Sequence, residues 1–318
     1  MSNILFISPD FFDYYKDISK EFERQGHNVI WYNDRPSNSF ISKVIIRLNK
    51  KMLTKKIDKY VAKIIEENKN KKIDKVIIIF GQSFDKKHIR QIRESHKEAK
   101  LIYYAWDSIG SFPFIKNIYE EFDVAYTFDS EDSKNFNMKF LPLFYCNEKI
   151  ECDNKFDCCA IQTIKVGKLE NFEKIKSILP KEIKMFTYLY LQSKLVYFYY
   201  RLKYKIFKKY KLKDFKYKKL TREENNNISN QSKVIIDCQM KNQIGLTIRT
   251  FEALHLGKKL ITSNKNIMNY DFYTPNNIYI VDNLDENIPS NFFETEFDSS
   301  FELSSKYSLE SFVKNLLN

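Results

Sequence analysis

The chain has 318 residues, of which 43% are hydrophobic and 16% aromatic, enough for about two domains of ~150 residues and too apolar for global disorder. Its 6 Gly and 7 Pro exclude collagen-like and linker-rich architectures, and 5 Cys without a framework suit a reducing cytosol. Lys and Arg total 53 against 41 Asp and Glu, a net charge of +12.

Residues 4–8 form a short apolar run closed by Pro9-Asp10, a strand followed by a turn. Helical spacing covers 13–25, with Gly26 placed to end it, and 29–32 reads as a second strand. A long basic helical region precedes a buried strand at 75–80, which Gly81 ends. A helix at 85–97 leads to a strand at 101–105 that opens onto Trp106-Asp107-Ser108. Residues 122–128 read as a further strand, and 129–133 as the capped start of a short helix. This alternation predicts a parallel, doubly wound sheet.

The apolar pattern breaks at 146–156, which reads as a linker between a first domain, 1–150, and a second, 151–300. The second series runs as a strand at 158–164, a helix at 168–178, a strand at 183–188 and an aromatic, basic helix. A strand near 215–220 and a capping box at Thr221-Arg-Glu-Glu224 follow. Then come a strand at 233–237, a helix at 247–256 stopped by Gly257, and a strand at 258–262. The tail, 301–318, carries an amphipathic helix. The organisation is α/β with two Rossmann-like halves. The longest aliphatic run, 76–80, is too short to span a bilayer, and residues 1–8 lack the parts of a signal peptide, so a cytoplasmic location is expected.

The charge is not evenly spread. Residues 43–72 carry +8 and residues 194–219 carry +10, leaving −6 for the rest of the chain. The second window also holds nine aromatics. On a helix, Leu195, Phe198, Tyr199, Leu202 and Ile206 share one stripe, and Lys194, Arg201, Lys205 and Lys208 another. Two readings are open: a stripe packed on the core with a solvated basic face, or contact with an anionic membrane surface through Arg201, Lys203, Lys205, Lys208 and Lys209. No nucleic-acid motif is present.

Residues 233–283 are the most informative, above all Gln243-Ile-Gly-Leu-Thr-Ile-Arg-Thr-Phe-Glu-Ala-Leu-His-Leu-Gly-Lys-Lys-Leu-Ile-Thr-Ser-Asn264. A strand ends, Gly245 turns the loop, and a helix starts near Thr247, where free backbone amides suit a phosphate. Arg249 adds a bidentate cation for a diphosphate, and Glu252, one turn on, suits both hydroxyls of a ribose. Lys165, with Gly167 and Lys168, follows the first strand of this half and is a second candidate for phosphate, a solvated surface being the alternative. In the first half, Asp107 ends the strand 101–105 where open α/β sheets bind ligands, and Asp10 competes with it. A carboxylate there can serve as the base that a sugar hydroxyl needs, or simply cap the next turn. The four His are scattered, and no His/Cys spacing or isolated Asp-x-Asp suggests a metal site.

The segment Gly-x-x-x-Arg-x-x-Glu-Ala-Leu-x-x-Gly-Lys-x-Leu-Ile resembles the donor-nucleotide segment of GT-B glycosyltransferases of bacterial capsule and lipopolysaccharide synthesis, including CgeB-like members. Asn264 and the residues to Tyr279 are similar to the same group, which places Asn264 among the expected donor-binding residues, and Tyr104-Ala-Trp-Asp-Ser108 and 128–134 are similar as well. The resemblance implies two Rossmann-like domains whose parallel sheets face a central cleft, with a nucleotide-sugar donor in the second half. It implies that Glu252 holds the donor ribose, that Arg249 and the helix start face the diphosphate, and that neither metal nor cofactor is needed. The acceptor it implies is a saccharide, in keeping with the basic patches a lipid-linked one at the inner face of the cell membrane. One departure stands out. Many retaining members carry a second Glu eight positions before the one matched by Glu252, and here that position is Ile244. Rival readings are a nucleotide-sugar epimerase of the same fold, which calls for a His among extra carboxylates, and a non-catalytic membrane-surface scaffold.

Overall fold

A computed structural model describes residues 1–37, 39, 42, 46, 50–240, 243–281, 287–300 and 303–318. The basic helix expected after the second strand lies partly outside these residues. Chain contacts divide the protein into two units, Met1–Pro142 with Leu309–Asn318, and Leu143–Ser308.

The first unit is built on six parallel strands: β1 (Asn3–Ser8), β2 (Asn28–Asn33), β3 (Lys75–Ile79), β4 (Lys100–Ala105), β5 (Val124–Thr127) and β6 (Lys139–Phe140). Their order is β2-β1-β3-β4-β5-β6. Ile4, Leu5, Phe6 and Ile7 are all fully buried, which explains why β1 is a continuous apolar run with no alternation: both faces of the sheet are covered. The described helices are α1 (Tyr14–Arg24), α2 (Thr54–Asn68), α3 (Lys86–Ser95) and the short α4 (Ser130–Asn135). Gly26, at φ +86°, ends α1, and Asp129 caps α4 by accepting from the amides of Glu131 and Asp132.

The second unit holds β7 (Phe156–Thr163), β8 (Met185–Tyr190), β9 (Ser232–Asp237), β10 (Lys259–Thr262) and β11 (Ile278–Ile280) in the parallel order β11-β10-β9-β7-β8. Its helices are α5 (Val166–Ser177), α6 (Lys194–Lys203), α7 (Arg222–Asn230), α8 (Ile248–His255) and α9 (Asn291–Glu294). The expected capping box is formed, Thr221 accepting from the Glu224 amide and Glu224 from the Thr221 amide.

Two expectations need correction. The division between units falls at Pro142 and not at 150, because residues 143–150 are tied into the second unit. The Tyr145 amide donates to Tyr307 O at 2.9 Å, the Ile150 amide to Asn230 Oδ1 at 2.8 Å, and Arg222 to Cys146 O at 2.8 Å. The expected amphipathic helix of the tail forms and belongs to the first unit. As α10 (Leu309–Leu317) it buries Phe312, Val313, Leu316 and Leu317 in the first unit, with Arg24 paired to Glu310 and Tyr126 donating to Asn315 O. No strand forms at 215–220; Lys216 alone pairs with Tyr190 beside the edge strand β8.

The aromatic, basic helix is also shorter than its periodicity suggests. It stops at Lys203 because Tyr204 takes an extended conformation, φ −125° and ψ 126°, and a 3-10 turn, Lys205–Lys209, follows. Its core-facing residues are Val196, Tyr197 and Tyr200, and Ile206 packs on the core with them. The stripe Leu195, Phe198, Tyr199 and Leu202 faces out.

Candidate functional site

Each sheet has one point at which its winding reverses. In the second unit this lies between β7 and β9, and the loops leaving their carboxyl ends form the crevice in which open α/β sheets hold ligands. Lys165 ends the loop after β7 and immediately precedes α5. Gly245, Thr247 and Arg249 lie in the loop after β9 and the first turn of α8. The loop after β9 is tied to α5: Asn171 of α5 donates to Gln239 O at 2.7 Å, and a Cβ on Gly167 would sit 3.8 Å from the Met240 methyl.

Asp237, at the last position of β9, organises this loop. Its buried carboxylate accepts from the Thr247 hydroxyl at 2.6 Å, from Gln239 Nε2 at 3.3 Å and from the Thr250 hydroxyl at 3.5 Å. Thr247 is the N-cap of α8 by position, yet its side chain makes no cap bond. Thr247 thus caps none of the first amides of α8 with its side chain, an arrangement that suits an anion. Arg249 is half-buried in that first turn, and among the described residues no hydrogen bond or ion pair engages its guanidinium. The surface ion pair with Glu252 that would have explained both residues structurally is not formed. Glu252 is buried, one turn further along α8.

Asn264, expected among the donor-binding residues, is tied into the loop after β9. Its amide donates to Gln239 Oε1 at 2.7 Å and to Ile244 O at 2.9 Å, and its carbonyl accepts from the Asn266 amide and side chain. These bonds hold the loop that leads into α8.

In the first unit the reversal lies between β1 and β3. Asp10 is exposed two residues past β1, and Asp107 is half-buried two residues past β4, two strands away. Three of the four non-glycine residues with positive φ flank this point: Phe12 (48°) and Asp13 (59°) after β1, and Phe80 (67°) after β3, the last followed by Gly81 at 65°. Left-handed backbone at bulky residues costs energy, and three such residues gather at the carboxyl ends of β1 and β3. The loop carrying Asp107 is fixed from α4, whose Asp132 carboxylate accepts from the Ile109 amide at 2.7 Å. Burial pushes the Asp132 carboxyl above its ordinary range.

A further ionic pair in this region was not legible in the sequence. Asp34, fully buried just past β2, holds Arg35 through Nε at 2.6 Å and Nη2 at 3.2 Å, and also accepts from the Gln82 amide at 3.3 Å. Burial and the Asp34 charge push the Tyr60 phenol up to about 12, and burial, Asp34 and Asp107 together push Tyr103 well above its ordinary value. The four His are engaged elsewhere or stand off these edges. His88 bridges the Asp85 amide and Asp58, His255 stacks on Tyr145 at 3.9 Å, His27 precedes β2 and His96 ends α3. Among the described residues no group of three or more His, Cys, Asp or Glu is placed to hold a metal ion, and no helix is long and apolar enough to cross a membrane.

No family model matches the sequence, and no curated protein matches it. Solved structures do. HepE of Anabaena in complex with UDP-glucose superposes with a TM-score of 0.62 at 9% identity, covering 100% of this chain and 98% of that one. Its complex with UDP gives 0.57 at 10% identity over 99% and 94%. A glycosyltransferase from Rickettsia africae gives 0.51 at 14% identity over 100% and 93%. Two α/β units on parallel sheets of six and five strands, matched along their whole length by such proteins, establish that the chain has the GT-B fold.

Proposed function

We propose that the protein is a glycosyltransferase that moves a sugar from a nucleotide-sugar donor to a saccharide acceptor. The observation that carries this reading is the start of α8: amides that Thr247 does not cap, an Arg249 guanidinium without a partner among the described residues, and a buried Glu252 one turn on, all beside the β7/β9 reversal. The similarity to a structure solved with UDP-glucose supports the same ligand class.

In this reading the diphosphate lies on the α8 amides and Arg249, with Lys165 facing it across the crevice, and Glu252 takes the ribose hydroxyls. Charge that develops on the departing diphosphate is met by the helix dipole and the guanidinium, so that no metal is required. Asp107 accepts the proton of the attacking hydroxyl, with Asp10 as its competitor for that role. The sugar is passed to a lipid-linked surface polysaccharide, and the basic surface of residues 194–219 keeps the enzyme at the inner face of the cell membrane. The rival epimerase reading calls for a His among the carboxylates, and the positions of the four His speak against it.

The experiment is a thermal-shift panel of UDP-, GDP-, CMP- and dTDP-sugars, because a ligand that binds only the native state raises the melting temperature. Stabilisation by UDP-glucose or another member, lost in Arg249→Ala, is the expected result. No shift with any member removes the donor site, and with it the transferase reading.

A further inference from the structure

Among the described residues ten large hydrophobic side chains are strongly exposed, and four of them share one face of α6: Leu195 (80%), Phe198 (52%), Tyr199 (55%) and Leu202 (86%). Their spacing is i, i+3, i+4 and i+7, a single ridge along the helix. The opposite face is anchored, with Tyr197 buried and Val196 and Tyr200 packed on the core of the second unit. Tyr197 also donates to Tyr210 O at 3.0 Å, and Arg201 donates to Tyr197 Oη and to Tyr210 O, which pins the helix against the turn that follows it. The ridge is therefore a rigid, outward-facing apolar surface.

Cations surround it. Lys203 stands on one flank of the ridge, held by the Tyr199 hydroxyl at 3.2 Å, and Lys194 and Arg201 stand on the other. Lys205, Lys208 and Lys209 continue the rim, all exposed, and among the described residues no ion pair engages any of these six. The window 194–219 has Asp214 as its one acid.

We propose that this ridge inserts into the headgroup and upper acyl region of an anionic phospholipid surface, with its rim of cations on the lipid phosphates. An apolar ridge within a cationic rim is the pattern of a helix that lies in the interfacial plane. Aromatic rings with one polar end sit at headgroup depth, and Tyr199 is such a ring in the middle of the ridge, beside the wholly apolar Phe198. A second copy of the chain is a poor occupant: docking like face to like face sets +10 against +10, and four side chains fall well short of the about 800 Å² per partner that a stable interface buries. A nucleic acid strand fits no better, since Leu195 and Leu202 at the ends of the ridge offer neither stacking faces nor hydrogen bonds. The inference rests on the membrane part of the function proposed above and replaces attraction by charge with insertion.

The test is flotation with phosphatidylcholine vesicles and with vesicles holding about 30% phosphatidylglycerol, a charge density that attracts basic surfaces. The wild-type protein is compared with the triple variant Leu195→Ser, Phe198→Ser, Leu202→Ser, whose exposed positions leave the melting temperature unchanged. We expect wild type to float with the anionic vesicles only, and the triple variant to lose at least ~10-fold in partition. A Phe198→Trp variant is expected to shift its emission to the blue on binding and to be quenched by lipids brominated near the headgroup. Equal binding by the triple variant, or no emission shift, overturns insertion while leaving attraction by charge in place. No binding of wild type to anionic vesicles overturns the membrane reading itself and leaves the donor site untouched. Dimerisation or RNA binding that depends on the ridge also overturns the proposal.

Discussion

Thr247 gives its hydroxyl to Asp237, 2.6 Å away, and by doing so does not cap the helix it begins. A threonine at this position normally satisfies an amide of the first turn; here a buried carboxylate ten residues earlier claims it instead. Asp237→Asn keeps the shape but weakens the hold on Thr247, Thr250 and Gln239. We expect a loss of stability of ~1–3 kcal/mol, read by urea denaturation, together with weaker donor binding. Thr247→Val should share the binding defect. A folded Asp237→Asn protein with unchanged donor affinity would show that the loop needs no such anchor.

Arg249 separates binding from stability. It has no protein partner among the described residues to lose, so Arg249→Ala should leave the melting temperature of the free protein close to wild type. Donor affinity should fall by ~1.5–3 kcal/mol, the range of a hydrogen bond to a charged group. Calorimetric titration with the nucleotide-sugar reads both Arg249→Ala and Glu252→Ala, and for the latter a loss of similar size is expected. An unchanged dissociation constant removes the residue concerned from the donor site.

Asp107→Asn should bind donor normally and transfer at least ~100-fold more slowly, the usual scale of general-base catalysis. Asp10→Asn is the control at the strand reversal. If the defect follows Asp10 and spares Asp107, the base is the residue at the reversal, between the left-handed pairs Phe12-Asp13 and Phe80-Gly81.

Asp132 gives a pH signature. Burial, and the nearby Asp129 and Glu131, raise its carboxyl above the ordinary value, while the Ile109 amide and Lys116 act to lower it. The folded state thus binds this proton more readily than the unfolded chain. Its contribution to stability is fully present below the unfolded value near 3.8 and is lost as pH rises through the raised folded value. Asp132→Asn, which keeps an acceptor for the Ile109 amide, should match or exceed wild-type stability at pH 7 and lose that advantage near pH 3. Asp132→Ala should cost ~1–3 kcal/mol by leaving the amide unpaired. An Asn variant less stable than wild type at pH 7 would show that the charge itself is needed.

The strands of both sheets were legible because buried parallel strands are written as continuous apolar runs, as in residues 4–7 and 76–79. β6, only Lys139–Phe140, carries no such run, and β11, Ile278–Ile280, is apolar but only three residues long. The α8 region was legible through its loop, cap and arginine, but Asp237 was not, since its bond to Thr247 exists only once the loop has closed. Asp34 and Arg35 look like an ordinary solvated pair in the sequence; only the fold puts the carboxylate at zero exposure. The length of α6 was misread because its 3.6-residue period continues to Ile206, whereas the backbone turns extended at Tyr204. Periodicity also failed to say which of two apolar faces would meet the core: Tyr197 and Tyr200 went in, and Leu195, Phe198, Tyr199 and Leu202 stayed out.

The second unit opens and closes at one place, where the Tyr145 amide meets Tyr307 O and Tyr145 bridges Ser308. It is in effect an insertion between residue 142 and α10. During synthesis from the amino end the inserted unit has all its residues before α10 leaves the ribosome. Until then the first unit lacks Phe312 against Tyr104 and the backbone acceptors at Leu317 and Asn318 that Lys75 and Lys100 reach. The amino-terminal unit is therefore begun first and sealed last, and a nascent chain halted before α10 should show a protease-resistant second unit beside a still-labile first.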